Sequence, residues 1–145
     1  MAKVTNAFDT YTAKGIREDL SDVIYDISPE ETPFEVGLNY FVSFKKSANF
    51  NGRKSMENQL KNGTNKKLVY LTLSKDNPPG EPLLLHEEPI YMNNKIVGKT
   101  SSGVYSFNYK KSISMGHVKL DEIFKLSDIT NNSFEIEVAK KRYKA

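Results

Sequence analysis

The chain has 145 residues, enough for one domain with one modest core. Its 21 basic and 18 acidic residues leave a net charge of +3, with mean hydropathy at −0.55, which describes a solvated mixed-charge surface rather than a dedicated polyanion binder. Cysteine is absent, which excludes disulfides, thiolate nucleophiles and Cys-based zinc sites together and suits a reducing, cytoplasmic setting.

Residues 1–12 are polar. From Lys14 to Ile27 the pattern changes: Ile16, Leu20, Val23, Ile24 and Ile27 recur at three- and four-residue steps, the stripe of an amphipathic helix. Thr12 is placed to cap it, and Pro29 stops it after Ser28. A helix of this length is marginal alone in water, so its stripe needs a partner surface. Gly37 to Val42 reads as a strand. Asn49 or Asn51 can cap a helix over Arg53 to Lys61, with Gly63 at its C′ position and Met56 and Leu60 facing the core together.

Lys67 to Leu73 alternates as a strand, with both faces mostly apolar, which predicts a buried or barrel-lining position. Asp76 to Gly80 breaks it. Asn93-Asn94 is a tight-turn signal that pairs Tyr91-Met92 with Lys95 to Val97 as a hairpin. The stretch from Lys95 to Val118 is predicted to be a strand at Ile96-Val97, a broad polar and aromatic loop pivoting on Gly103, and a return strand from Ile113 to Val118. Asp121 to Leu126 reads as a short helix or an irregular loop. Ser133 to Val138 alternates strictly, placing Phe134, Ile136 and Val138 inward and the acids outward. Lys140 to Lys144 reads as a solvated basic tail.

No catalytic or metal-ligating constellation stands out. His86 and His117 are the two imidazoles, and neither has a marked carboxylate partner. Glu81, Glu87 and Glu88 sit near a turn and read as solvated carboxylates. Ser101-Ser102 lacks the Gly-x-Ser-x-Gly elbow, and Gly98 and Gly103 do not form a dinucleotide loop. Tyr105, Phe107, Tyr109, Lys110 and Lys111 interleave rings with cations, a composition able to stack bases, but turn aromatics closing a barrel explain it better. No apolar run approaches the roughly 18 residues that span a membrane, and no secretory h-region follows Lys3.

Several of these pieces carry a family resemblance. Val97 to Gly103, then Tyr105-Ser106, then Lys111 to Val118 resemble in order and spacing the C-terminal barrel domain of the glycine-cleavage T-protein (aminomethyltransferase) family, in the version that ends dimethylglycine and sarcosine dehydrogenases. His117 replaces the usual aromatic. Gly37-Leu38-Asn39-Tyr40, Phe50 to Met56 and Phe134 to Val138 resemble further segments of that domain. The resemblance implies a mainly β domain over residues 37–145: an antiparallel six-stranded Greek-key-type barrel with one short helix, preceded by an N-terminal helical arm at residues 1–36. It also implies a last strand after Val138, carrying a basic residue toward folate, that this chain lacks. The system implied is tetrahydrofolate-dependent one-carbon transfer, with the catalytic acid and most of the folate cleft in preceding domains. This chain alone is therefore expected to be inactive, and its partner to be a folate-binding domain. Thr100, Ser101, Ser102, Gly103 and Tyr105 are the candidate domain-interface loop.

The opening has a resemblance of its own. Thr5 to Tyr11, Gly15 to Pro29 and Glu31 to Phe34 resemble the N-terminus of tailed-phage major capsid proteins. That implies either a fused segment from a second source, with a virion structural protein as the alternative function, or a divergent lead-in helix of the barrel protein.

Overall fold

The computed structural model describes residues 26–74 and 81–145. Six strands form one antiparallel sheet: β1 (Lys66–Thr72), β2 (Pro89–Met92), β3 (Lys95–Ser106), β4 (Lys111–Lys119), β5 (Phe134–Val138) and β6 (Lys141–Lys144). Their spatial order is β1-β4-β3-β2-β5-β6. Strands β2, β3 and β4 are joined as consecutive hairpins, and β1 returns to lie beside β4, which is the Greek-key arrangement expected. The ladder does not close. At one point its two edges meet, where the Ser74 N–H donates to the Lys144 carbonyl at 2.9 Å.

The core sits on the concave face. Val69, Leu71 and Leu73 of β1 and its extension meet Leu84, Ile90, Val97, Val118, Phe134 and Ile136 there. Each buried side chain of this size contributes roughly 1.5–3 kcal/mol. Alternation places these residues: β4 buries Ser112, Ser114, Gly116 and Val118 and turns the residues between them outward. The β2–β3 hairpin turns on Asn93 and Asn94, with φ of 51° and 67°, as the sequence predicts. Ala139 and Lys140 make the β5–β6 turn the same way, with φ of 49° and 66°.

Among the described residues two further helices accompany the sheet: α1 (Arg53–Asn62) and α2 (Leu126–Thr130). Gly63 ends α1 with φ of 79°, and its N–H bonds the Gln59 carbonyl at 2.7 Å. The start differs from expectation. Gly52, in the left-handed region, is the N-cap, and no side chain caps the helix, so neither Asn49 nor Asn51 does so. Leu60 is 59 % exposed and Met56 only half-buried, and neither belongs to the core cluster, because α1 buries none of its residues.

Further expectations are corrected. Gly37 to Val42 is not a strand: Asn39–Phe41 form a 3-10 turn with no ladder partner. β1 is lined on one face only, since Tyr70 projects outward. The chain after Val138 is not a tail. Lys141–Lys144 is a strand, pairing Glu135 with Lys144 and Val138 with Lys141. Tyr143 packs against the core from it. The helix over Lys14 to Ile27 and the break at Asp76 to Gly80 lie almost wholly outside the described residues; Asp26, the first described residue, is helical.

The segment from Asp26 to Leu38 is bound across the outside of β1. The Leu68 N–H donates to the Glu35 carbonyl at 2.8 Å, and Lys67 Nζ donates to the Phe34 carbonyl. Lys66 pairs with Glu31 at 2.6 Å. Phe34 is buried and faces Phe44 at 6.4 Å, which in turn faces Phe50.

Candidate functional site

The polar stretch singled out in the sequence is not a loop. Thr100, Ser101, Ser102, Gly103 and Tyr105 all lie within β3, which runs from Lys95 to Ser106. The reversal comes later, at residues 107–110, where Lys110 has φ of 53°. Gly103 is therefore no pivot. A Cβ there would lie 2.4 Å from the Leu84 carbonyl oxygen and 2.6 Å from Leu84 Cβ, so the glycine permits a close backbone approach.

Thr100, Ser101, Ser102 and Gly103 each have an internal contact. The Thr100 hydroxyl donates to the Leu85 carbonyl at 2.7 Å and accepts from the Glu88 N–H at 2.9 Å. Its backbone exchanges bonds with Glu87 and Glu88 at 2.8 and 2.9 Å. A register shift between Thr100 and Ser102 marks a bulge at Ser101. Ser101 Oγ donates to Asp26 Oδ1 at 2.5 Å. The Ser102 carbonyl accepts from Ser114 Oγ at 2.7 Å. Tyr105 differs: its ring makes an edge-to-face pair with exposed Phe107 at 5.3 Å, at the open end of the hairpin.

His117 lies outward on β4, and its Nε2 is 2.7 Å from the Asp26 carbonyl. A carbonyl only accepts, so Nε2 carries the proton, and the buried Nδ1 has no partner among the described residues. Asp26 thus meets both Ser101 of β3 and His117 of β4. Glu87 pairs with Lys99 at 2.6 Å. Burial raises the Glu88 carboxyl, against the Leu85 N–H and the charge of His86.

Two open clefts, each about 570 Å³, flank the segment 121–125. Glu35, Gln59, Asp121, Glu122 and Lys125 line the first. Met92, Ile96, Val97 and Leu120 are among the residues lining the second. Lys95 bonds Asp121 at 2.5 Å and holds its carboxyl below the usual range. Among the described residues, no group of three or more His, Cys, Asp or Glu side chains could hold a metal ion. No helix among them is long and apolar enough to cross a membrane. The three carboxylates of the first cleft oppose the anionic glutamate tail of a folate, so the residues present do not by themselves fit tetrahydrofolate. No signal in the sequence pointed to Asp26 or to Leu84 as organising contacts, because neither lies in a motif: Asp26 meets Ser101 and His117, 75 and 91 residues away, and Leu84 packs on Gly103.

Comparison with known proteins agrees with this architecture. The family model for the glycine cleavage T-protein C-terminal barrel domain matches residues 66–145. Human mitochondrial dimethylglycine dehydrogenase is 31% identical over 140 residues, covering 95% of this chain and 15% of that protein. An aminomethyltransferase of Prochlorococcus marinus is 32% identical over 120 residues, 83% of this chain and 30% of that protein. The solved structure of glycine cleavage system aminomethyltransferase T from Bartonella henselae superposes with a TM-score of 0.63 at 20% identity, over 83% of this chain and 31% of that one, a likeness of fold. The chain thus spans under a third of the length of each of these relatives. A match over 95% of the chain also reaches into residues 1–36, which weighs against a separate phage source for them. The barrel pattern, its Greek-key order and the matched residues lead to one conclusion: this chain belongs to the glycine cleavage T-protein C-terminal barrel domain family.

Proposed function

We propose that this chain acts as the supporting barrel of a tetrahydrofolate-dependent one-carbon transfer system and performs no chemistry alone. The observation that carries the reading is the family match over residues 66–145, in a chain that aligns to 15% of a dimethylglycine dehydrogenase and 30% of an aminomethyltransferase. The partner on this reading is a folate-binding domain, and tetrahydrofolate is held there rather than on the acidic cleft beside residues 121–125. On this reading the chain works in the cytoplasm, a reducing setting with which its Cys-free sequence is compatible.

Of the five candidate interface residues, Thr100 and Ser101 are committed to internal hydrogen bonds and Gly103 to Leu84. The contact we propose is therefore shifted to the hairpin end, where half-buried Tyr105 pairs with the exposed ring of Phe107. Exposed aromatic side chains supply large contact area at low entropic cost.

The test is reconstitution. An aminomethyltransferase lacking its own barrel is mixed with this chain, and turnover of an aminomethyl donor with tetrahydrofolate is measured. Expected are no turnover with the chain alone, association with the barrel-less enzyme, and weaker association for Phe107→Asp. Turnover by the chain alone, or no association, overturns the reading.

A further inference from the structure

Helix α1 is bracketed by two copies of one dipeptide. Asn51-Gly52 stands immediately before Arg53, and Asn62-Gly63 closes the helix; these are the two Asn-Gly pairs of the sequence. In such a pair the glycine nitrogen can attack the asparagine side-chain amide, because no Cβ on the glycine blocks the approach. Whether it does so depends on what holds that nitrogen.

The two ends differ. At the far end the Gly63 N–H is committed to the Gln59 carbonyl at 2.7 Å, and Asn62 Nδ2 donates to Asn58 Oδ1 at 2.6 Å. A Cβ at Gly63 would lie 2.5 Å from Ile123 Cγ2, so that side is shielded. Reaction there requires the last helical turn to unwind. At the near end Asn51 and Gly52 are both exposed, and nothing lies within 4 Å of a Cβ at Gly52. Among the described residues the Gly52 N–H has no backbone acceptor. One bond closes this turn, from the Arg53 N–H to the Phe50 carbonyl at 3.2 Å, and Gly52 has the φ of 85° and ψ of 0° of a type II turn's third residue. An exposed turn of this kind opens locally at little cost. The helix field also differs. The positive end of α1 lies beside Asn51 and favours the negative charge that develops in the attack, whereas Asn62 lies at the negative end.

We propose that Asn51 is a site of spontaneous covalent modification, an amide that water converts to an acid through a cyclic imide, and that the fold protects Asn62 from the same reaction. The Gly52 nitrogen gives its proton to hydroxide and bonds to Asn51 Cγ. The Cγ–Nδ2 bond breaks, and the amide nitrogen takes a proton from water and leaves as ammonia, returning the hydroxide. Water then opens the ring at Cγ to give aspartate, or at the Asn51 backbone carbonyl carbon to give isoaspartate. The sum is amide plus water to acid plus ammonia, with no change of oxidation state. Either product lowers the net charge of +3 by one and sets a carboxylate before a helix with no acid in its first turn and no side-chain cap. Isoaspartate also lengthens the main chain beside Arg53, whose guanidinium holds the Phe44 and Lys46 carbonyls at 2.8 and 3.1 Å. The proposal is independent of the folate reading.

The test incubates the intact chain in mildly alkaline buffer and digests it at acidic pH. Peptide mass then gives the acid formed at each site, and chromatography separates aspartate from isoaspartate. Expected is conversion several-fold faster at Asn51 than at Asn62, quickening as pH rises, with both products present, and near-equal rates for the chain unfolded in urea. Equal rates in the folded chain, or a faster Asn62, overturn the proposal. A difference that persists in urea belongs to the neighbouring residues rather than to the fold and overturns it too. Asn51→Gln, whose longer side chain disfavours ring closure, is expected to stay an amide; acid formed there would show direct hydrolysis and overturn the cyclic route.

Discussion

The Ser74 N–H and the Lys144 carbonyl lie 2.9 Å apart, so the first and last strands of the sheet touch although the ladder between them stays open. Strand β6 is what brings Lys144 there. Arg142, in its middle, lies 3.7 Å from the Tyr91 ring centroid, bonds Asn94 Oδ1 at 2.8 Å, and is 3.6 and 3.7 Å from Glu135 and Glu137. Arg142 is the basic side chain that ties this strand to its neighbours, beside the ladder bonds to β5.

Removing residues 141–145 is accordingly expected to lower stability by about 3 kcal/mol, through lost ladder bonds and the uncovering of Tyr143's site. It also leaves β5 as an exposed edge, which promotes association. Arg142→Ala is expected to cost about 1 kcal/mol, since its ring contact and ion pairs are half exposed. Urea unfolding reads both, with light scattering for the truncation. Unchanged midpoints would show that β6 rests on the sheet without holding it.

Three glycines should separate by what surrounds them. At Gly98 a Cβ would lie 1.8 Å from the His117 carbonyl oxygen, and at Gly103 2.4 Å from the Leu84 oxygen; at Gly37 nothing lies within 4 Å, though φ is 73°. Backbone atoms cannot rotate aside as a side chain can. Gly98→Ala is therefore expected to cost more than about 3 kcal/mol, Gly103→Ala about 2–3, and Gly37→Ala about 1, the last from its left-handed φ alone. The order of denaturation midpoints is the check, and a Gly103→Ala chain as stable as Gly37→Ala would contradict the close approach of Leu84.

What the sequence made legible follows a physical line. The β2–β3 hairpin and β5 were readable because alternation and an Asn-Asn turn are local signals, fixed by residues next to one another. The middle of β3 was not, because Thr100, Ser101, Ser102 and Gly103 have loop composition. They are in a strand because they are small: Leu84 packs onto Gly103, and Thr100 satisfies Leu85 and Glu88 from fifteen and twelve residues away. Lys141–Lys144 looked like a tail because only Tyr143 of the four turns inward and an edge strand shows half a pattern. The proposed contact residues suffered the same way. Their polar atoms were visible in the sequence, but the internal partners that occupy them were not.

Glu31 gives the structure an acid-sensitive clasp. Burial pushes its carboxyl up, but bonds from Lys66 and from the Ser28 hydroxyl and N–H outweigh it and hold the group at about 2, against an ordinary 4.5. The folded value is the lower one, so the contribution is fully present above the ordinary value and is lost as pH falls through the folded one. It amounts to about 2 kcal/mol once the partial exposure of Lys66 is discounted. The stability gap between the parent chain and Glu31→Gln is expected to be full near neutral pH and to close on acidification to about pH 2. A gap that does not change with pH would show that the carboxylate's charge plays no part.

Glu88 should behave with the opposite sign. Burial raises its carboxyl above the ordinary 4.5, and the Leu85 N–H and the charge of His86 only partly oppose this. The folded state holds the Glu88 proton more tightly than the unfolded chain does. Ionisation therefore costs stability: the cost is absent well below the ordinary value and complete above the folded one, hence present at neutral pH. Glu88→Gln keeps a side-chain oxygen to accept from the Leu85 N–H, now at 3.1 Å, and removes the charge. The variant is expected to be more stable than the parent near neutral pH, and the advantage to vanish at about pH 3. Thermal unfolding at the two pH values measures it. Because Glu88 also donates its N–H to Thr100 at 2.9 Å, a contact the substitution leaves intact, a variant less stable than the parent at neutral pH would mean that the attraction to His86 exceeds the cost of burial.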